Sequence, residues 1–339
     1  ILNFNNSLIK QLPIQKHLGM ILDSKLTFDE HMRNILTKIS KSVNLIRKLQ
    51  SVLPRNSLLT IYKSFIRPHL DYGDVVYDQA FKNTFHKFME RIQYNVSLAI
   101  LGAIKGSSTE KVYKELGLES LQQRRWMRKL CYLYKIYRNK SPTYLNKLIP
   151  TVRNNYNLRN SDNIPLLRTN HDFFRNSFLP SAIIEWNKLD LSIRNSESLV
   201  SFKNKLVQII RPIGNSIYGV HNPKGVKFLN RLRIGLSHLH ERKSKHGFLD
   251  SISALCMCND NVESSIHFFL HCSLFADKRI TLFNQISTID EDILNNNEIE
   301  IVQILLFGDD RFSFRNNELI LKASINYILS TERFEHELF

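Results

Sequence analysis

Three of the four cysteines in this sequence fall within seventeen residues, and this clustering needs a chemical reason. Cys256 and Cys258 are separated by one residue, eight residues separate Cys258 from His267, and four separate His267 from Cys272. Thiolate and imidazole are the ligands that Zn²⁺ prefers, and four of them close a tetrahedral structural site. The spacing therefore predicts a structural zinc ion held by these four side chains.

Two alternatives to this ligand set remain open. His271 lies beside the last thiol and would be the substitute ligand if His267 is not one. Without a metal, the same residues would be buried thiols and a hydrogen-bonded histidine. The run from Ser264 to Cys272 predicts a serine cap followed by a helical turn, which would aim His267 and Cys272 at one point.

Length and composition limit the class of protein. At 339 residues the chain is long enough for about two or three domains, each with its own core. No run of about eighteen apolar residues occurs, so we expect no membrane span and no membrane partner. The sequence opens with neither a signal peptide nor Met, so we expect a piece of a longer protein. Few cysteines and no secretion signal predict a reducing compartment, the nucleus or the cytoplasm, where a cysteine cluster binds metal.

The charge balance is strongly basic. Lysine and arginine number 47 against 31 acidic residues, which gives a formal net charge of +16. Such a surplus predicts a polyanionic partner, and nucleic acid is the commonest one. An anionic lipid surface is the other candidate, but the sequence carries no lipidation motif or basic amphipathic anchor.

Apolar spacing predicts the elements that would position these groups. Residues 1–27 are expected to form short strands, with a turn at Asn5-Asn6 and an extended run over 17–23. A capping box from Thr27 to Glu30 predicts the start of a long helix that Pro54 stops. Further helices are predicted at about 57–68, 84–101, 108–116, 119–138, 176–189 and 198–210, and again in the tail after residue 275, with Gly117 ending the helix at 108–116.

The helix predicted at 119–138 interleaves arginines with aromatic residues. Arg124, Arg125 and Arg128 could follow a phosphate backbone while nearby rings stack on bases. The alternative is a helix whose rings are core and whose charges face solvent. The spacing of Leu133 and Tyr134 with their neighbours favours the buried interpretation for the rings.

A pair of adjacent carboxylates follows an apolar run near the C-terminus. Phe307-Gly-Asp309-Asp310 fits the aromatic-x-Asp-Asp pattern with which two-metal polymerases hold Mg²⁺. Such a site needs a third carboxylate on a neighbouring strand, whereas helices and a metal knuckle precede this pair. We therefore expect a solvent-exposed loop here.

Several runs together carry a family resemblance. They lie at 17–31 (with Leu-Gly-Met-Ile-Leu-Asp), 62–73 (with Arg-Pro-His-Leu-Asp-Tyr-Gly), 116–125, 174–189 and 228–239. In this order, ahead of the Cys/His cluster, they resemble the region after the catalytic palm in reverse transcriptases of non-LTR retrotransposons, the jockey-like group especially. Two departures fall in the knuckle, where Cys-x-Cys replaces the usual Cys-x2-Cys and Asn259 replaces the usual Gly.

The resemblance implies the C-terminal portion of an RNA-directed DNA polymerase. The family's catalytic site, with its Mg²⁺, would then lie upstream of Ile1, so we expect no catalytic residue here and no polymerase activity from this chain alone. The chain would instead bind nucleic acid, both RNA and DNA, through a thumb-like region and a zinc knuckle. The predicted contacts are Lys38, Lys41, Arg47, Lys48, Arg124, Arg125, Arg128, Arg231 and Arg233.

The predicted fold is mainly α with a small β edge at the start. The predicted segments are palm-edge strands at 1–27, a helical thumb-like domain at 28–150, an irregular connector at 151–222, a basic zinc-knuckle module at 223–285 and a C-terminal helical tail at 286–339. Two other functions stay open. One is an enzyme whose Asp309-Asp310 pair binds Mg²⁺, and the other is a standalone zinc-dependent interaction module, for nucleic acid or protein, derived from such an element.

Overall fold

The computed structural model describes residues 2–4, 7–9, 12–78, 83–150, 163–210, 215–245 and 253–334. Over these residues the chain is mainly helical, with two small antiparallel strand pairs at its start. The predicted fold class is confirmed. None of the described helices combines the length and the apolarity that a bilayer crossing requires.

The first pair joins β1 (Leu2–Phe4) to β2 (Ser7–Ile9), and the second joins β3 (Ile14–His17) to β4 (Met20–Asp23). The turn predicted at Asn5-Asn6 lies outside the described residues. The single extended run predicted over 17–23 is wrong, because Leu18 and Gly19 both adopt positive φ and reverse the chain. Two consecutive positive φ angles suit the right-handed twist of a two-residue hairpin.

Helix α1 (Asp29–Leu49) begins where predicted, but not by the predicted capping box. The Thr27 hydroxyl donates to Asp23 at 3.1 Å, and the Glu30 carboxylate accepts from Arg33 at 2.8 Å. Asp23 instead organises the entry to the helix by accepting from the backbone amides of Thr27 and Phe28, at 3.0 and 2.7 Å. A carboxylate that accepts hydrogen bonds from several nearby backbone amides fixes the turn that they form.

The remaining helices follow in chain order. They are α2 (Arg55–Ile61), a π-helical turn (Tyr62–Ile66), α3 (Arg67–Asp71), α4 (Asp74–Tyr77), α5 (Asn83–Leu101), α6 (Thr109–Leu116), α7 (Leu121–Tyr137), α8 (Thr143–Asn146), α9 (Asp172–Arg175), α10 (Phe178–Asn187), α11 (Leu191–Arg194), α12 (Leu199–Ile210), α13 (Pro223–Ile234), α14 (His240–Lys245), a second π-helical turn (His267–His271), α15 (Ala276–Ser287), α16 (Glu298–Phe307) and α17 (Phe314–Ser330). Short 3₁₀ turns flank α15 at Ser273–Phe275 and Glu291–Asn295.

The chain divides into two compact units. The first comprises residues 1–42, 64–93 and 119–211, and the second comprises 43–63, 94–118 and 212–339. In the first unit, α7, α10 and α12 share a core in which the Tyr134 ring stacks on Phe202 at 4.6 Å and Trp186 is almost fully buried. The Tyr134 ring is buried as predicted, whereas the Tyr137 ring, predicted to be buried with it, is 43% exposed.

In the second unit, α13, α15, α16 and α17 surround one apolar core. This core also takes in Phe268 and Phe269, which lie between His267 and His271 in the sequence and are fully buried. The cluster is therefore built onto the same core as the C-terminal helices. The five-segment division of the sequence stays a prediction.

Candidate metal centre and basic residues

A short hairpin presents the first two cysteines. Leu255 and Val262 form an isolated antiparallel bridge, and the Cys256 amide donates to the Asn261 carbonyl at 2.9 Å. The hairpin turns through Cys258 and Asn259, so that two side chains one residue apart can both face inward.

Asn259 makes this turn possible. Its φ is +64°, in the left-handed region that glycine and asparagine adopt more readily than other residues, and its amide donates to the Cys256 carbonyl at 2.9 Å. Asparagine at position 259 thus meets the left-handed backbone requirement of this turn. The tight Cys-x-Cys spacing still leaves one amide–sulfur bond, from Asp260 to the Cys258 Sγ at 3.5 Å.

The other two ligand candidates lie at the two ends of the second π-helical turn. The Ser264 side chain accepts from the His267 amide at 3.1 Å, which is the predicted serine cap. One turn later the Cys272 amide donates to the His267 carbonyl at 2.8 Å. This five-residue turn brings His267 and Cys272 to the same side.

The four side chains converge. The ligand atoms of Cys256, Cys258, His267 and Cys272 all lie within 4.8 Å of one another. The Cys256 and Cys272 sulfurs are 3.6 Å apart, and the Cys258 sulfur is 3.2 Å from the His267 Nε2. Zinc at ordinary bond lengths would set these separations at about 3.8 and about 3.5 Å. These two separations lie within a few tenths of an ångström of the values that zinc would set, and the cluster could hold a metal ion.

His271 lies away from this cluster. Its imidazole is half-exposed, and its Nε2 is 2.9 Å from the Glu298 carboxylate. The histidine that meets the three thiols is His267, whose Nδ1 is buried without a hydrogen-bond partner among the described residues. The Nε2 atom is thus the one directed at the sulfurs.

Burial shapes the ionisation of the cluster. It raises the pKa of Cys256 to about 12 and also raises the pKa of Cys272. Burial acts in the same direction on Cys258, but the hydrogen bonds from the Asp260 amide and from the Cys256 and Cys272 thiols together outweigh it and lower the pKa of Cys258. Burial lowers the pKa of His267, which favours the neutral imidazole that a metal requires. Two of the thiols would ionise only with a metal to compensate them.

A buried ion pair between Glu263 and Arg333 lies next to the cluster in the sequence, since Glu263 precedes the π-helical turn. The Glu263 carboxylate binds the Arg333 guanidinium through two hydrogen bonds of 2.6 and 2.8 Å, and accepts from the His240 amide at 2.7 Å. The Tyr327 hydroxyl donates to the Phe268 carbonyl at 2.6 Å. These contacts tie the hairpin and the π-helical turn to α14 and α17.

The structure separates the nine predicted nucleic-acid contacts into two groups. The first group is Lys38, Lys41, Arg47 and Lys48, which are all exposed on α1. Lys38, Lys41 and Lys48 follow helical spacing along one face, opposite the buried Ile35 and Ile39. They extend over about 15 Å of helix, and no described residue forms an ion pair with them.

The second group consists of arginines that already have partners. In the first unit, Arg124 binds Asp71 at 2.9 Å, Arg125 binds Asp78 at 2.9 Å, and Arg128 binds Asp74 at 3.3 Å. Arg124 and Arg125 are almost fully buried. Their guanidinium groups hold α7 against α3 and the segment at Asp74–Asp78.

Arg231 and Arg233 lie on α13 of the second unit and are also buried. Arg231 donates to the Gly102 carbonyl at 2.8 Å, and Arg233 binds Glu115 at 2.9 Å. Glu115 also binds Arg55 at 2.7 Å, so one buried carboxylate lies between two guanidinium groups. Phosphate contacts by the five arginines of this second group stay a prediction.

The Asp309-Asp310 pair lies in the loop between α16 and α17. The Asp309 carboxylate binds Arg311 at 2.7 Å, and Arg311 lowers the pKa of Asp309. Asp310 is exposed. Among the described residues, the one group of three or more metal-ligating side chains is the Cys/His cluster, so the loop interpretation of this pair is the one that agrees with the structure.

Sequence reasoning missed the carboxylates that pair with the buried arginines. Asp71, Asp74 and Asp78 are spaced by three and four residues. Arg128 follows Arg125 by three and Arg124 by four, and these matching helical spacings were the available signal. Glu115 was visible as an acidic residue next to the apolar Leu116 on a short amphipathic helix. What the sequence could not provide was the identity of the partner helix.

The Asp74 carboxyl gives a pH test of the first unit. Burial raises its pKa from 3.8 to about 6, although Arg128 opposes the shift. Between pH 3.8 and about 6 the native state binds more protons at Asp74 than the unfolded state does. The buried carboxylate therefore lowers the free energy of unfolding by up to ~3 kcal/mol above pH 6, and this penalty disappears at low pH. We expect the stability of Asp74→Asn, relative to the unmodified chain, to decrease as the pH falls from 7 to 4. Urea denaturation at both pH values measures this, with the exposed Glu197→Gln as control, and an equal difference at the two pH values would contradict it.

Comparisons with known proteins relate the chain to one class. No family model and no solved structure matches it. A stretch of 124 residues, 35% of this chain, is 33% identical to the RNA-directed DNA polymerase from mobile element jockey of Drosophila melanogaster. The match spans 13% of that protein's length. Over this stretch, the chain is related to a retrotransposon RNA-directed DNA polymerase.

Proposed function

We propose that this chain is the nucleic-acid-binding C-terminal part of a retrotransposon RNA-directed DNA polymerase. It would hold a template–primer duplex through the thumb-like region at 28–150. It would hold element RNA or target DNA through the basic zinc-knuckle module at 223–285. Nucleotide addition and its Mg²⁺ would belong to the palm of the parent polymerase. The part assigned to this chain is therefore binding and positioning.

The observation that carries the proposal is the convergence of Cys256, Cys258, His267 and Cys272. When bound there, Zn²⁺ would supply folding energy and neutralise the thiolates, and it would take no part in a reaction. The sequence relation to a mobile-element polymerase and the net charge of +16 support a nucleic acid as the partner of such a module.

Phosphate contacts are assigned to the cations of α1, because these four side chains are exposed and not engaged by described carboxylates. Each cation that neutralises a phosphate releases a counterion, so binding weakens with salt in proportion to the number of contacts. The buried arginines would act indirectly, by fixing the helices.

Replacing Lys38, Lys41, Arg47 and Lys48 with Ala tests this assignment. We expect weaker duplex binding and a slope of log affinity against log salt that is shallower by roughly 3 to 4, at about 0.9 per lost contact. Fluorescence anisotropy with an RNA–DNA duplex measures both quantities.

The matched control removes the same charge elsewhere, by replacing Lys87, Lys147, Lys203 and Lys278, which are all exposed. An equal change of slope in both variants would show that net charge, and not the placement of these four side chains on α1, determines binding. Affinity without salt dependence in the unmodified chain would favour a protein-binding module instead.

A further inference from the structure

The second unit contains a cavity that none of the assignments above uses. Its volume is about 570 Å³, and it lies between α6, α13 and α16 and the loop that follows α16. Small-ligand sites occupy about 300 to 1,000 Å³. The cavity is thus large enough for one nucleotide.

The floor of the cavity carries a buried positive charge. Glu115 and Arg233 line it, and Arg55 shares the same carboxylate. Two guanidinium groups against one carboxylate leave one excess positive charge. The side chains of all three are at most 6% exposed, so water screens this charge weakly. The floor therefore attracts an anion, even though its own hydrogen bonds are already made.

Two lysines stand at the rim. Lys111 and Lys114 lie one turn apart on α6, both are exposed, and neither forms an ion pair with a described residue. The Lys111 ammonium lies 3.4 Å from the position that a Cβ on Gly235 would take, and the Arg242 guanidinium carbon lies 3.9 Å from it. Two cations, Lys111 and Arg242, thus lie near one point beside the rim, and paired cations favour the binding of a phosphate group.

The opposite wall has a different chemistry. It is lined by the Gln303 amide, the Glu300 carboxylate and the Phe307 ring. The second wall carboxylate, that of Asp309, is held by Arg311 at 2.7 Å. An amide both donates and accepts hydrogen bonds, whereas a carboxylate only accepts. This wall matches the polar edge of a base that carries an exocyclic amine.

We propose that this cavity binds one nucleoside monophosphate unit, with its phosphate at Lys111 and Lys114 and its base against Gln303 and Glu300. Among the lining residues, four cations (Lys111, Lys114, Arg233, Arg311) outnumber three carboxylates (Glu115, Glu300, Asp309). The inference deepens the proposed function, on which it rests, because it adds a site for a single unpaired nucleotide to a chain that grips the polymer backbone.

Calorimetric titration of the full, metal-loaded chain tests the proposal with AMP, UMP and adenosine. We expect AMP to bind more tightly than adenosine, which lacks the phosphate, and than UMP, whose base has no exocyclic amine. Lys111→Ala/Lys114→Ala should weaken AMP binding by at least about tenfold and leave adenosine unchanged. Lys278→Ala/Arg315→Ala removes the same charge from exposed positions outside the cavity and should bind AMP as the unmodified chain does.

Two oligonucleotide arms identify the source of the unit. One single strand carries a 5′-phosphate and the other has the same sequence without that phosphate. If only the phosphorylated strand competes with AMP, the cavity binds the end of a strand. If neither strand competes, the cavity binds a free nucleotide. No AMP binding at millimolar concentration, or equal binding by both double variants, overturns the proposal. If AMP does not bind but duplex binding still depends on salt, only the cavity proposal is contradicted. If AMP binds but the duplex does not, only the proposed function is contradicted.

Discussion

Removing the metal from the Cys/His cluster should unfold much of the second unit. Structural zinc in small modules contributes on the order of 10 kcal/mol, which is comparable with the whole stability of a domain. The cluster is part of the unit's core, because Phe268 and Phe269 lie within the π-helical turn that carries His267. Without metal, the thiols of Cys256 and Cys272 stay protonated and the hairpin loses its closure.

Cys272→Ser is the variant that isolates this effect. We expect it to lose bound zinc and to unfold at much lower urea concentration, and we expect a strong chelator to have the same effect on the unmodified chain. Cys131→Ser is the matched control, because Cys131 is the cysteine outside the cluster. Circular dichroism and metal analysis of the purified proteins measure both quantities. Equal zinc content and equal stability in the two variants would contradict the metal site.

The second large effect is expected at Glu115. Its carboxylate is 2% exposed and compensates both Arg55 and Arg233. Breaking a buried ion pair by neutralising one partner costs about 3 to 5 kcal/mol, because the remaining charge stays buried and uncompensated. Glu115→Gln leaves two such guanidinium groups, so we expect a loss at or above this range.

Glu110→Gln on the same helix provides the control. Glu110 is exposed, and surface substitutions of this kind change stability by less than about 0.5 kcal/mol. Urea denaturation of the two variants measures the difference directly. If Glu115→Gln unfolds at the same urea concentration as Glu110→Gln, the triad does not stabilise the second unit in the way that its geometry implies.

Local signals predicted much of the fold. Helix α6 is the clearest case, because the Ser108 side chain accepts from the Lys111 amide and Gly117 adopts a φ of +60° at its end, as predicted for a helix over 108–116. Caps and left-handed glycines act within one turn of the chain, so the sequence alone reveals them.

The misses have local causes as well. The hairpin turn at Leu18 was overlooked, because leucine seldom adopts the positive φ that the turn requires. The π-helical turn at Tyr62–Ile66 lies inside a predicted helix, and apolar spacing does not distinguish the two forms. The capping box at Thr27 was a valid motif, but Asp23 accepts from both the Thr27 amide and the Thr27 hydroxyl, which the box would have used.

The candidate metal ligands were visible in the sequence because cysteine is rare and its spacing is specific. The choice of His267 over His271 was not visible, since both lie near Cys272 and their directions depend on a π-helical turn. The pairing of Arg124 with Asp71 joins residues 53 positions apart, and no local pattern specifies such a partner. Long-range pairing is therefore what the sequence could not provide.

The most direct test of the account is the salt dependence of nucleic-acid affinity for the zinc-loaded chain. We predict tight binding of an RNA–DNA duplex at about 50 mM salt and a loss of about a hundredfold by about 200 mM, as expected for the four phosphate contacts assigned to α1. Absence of binding at the lower salt concentration, or an affinity that is the same at both, would contradict the central claim that this chain grips a nucleic-acid backbone.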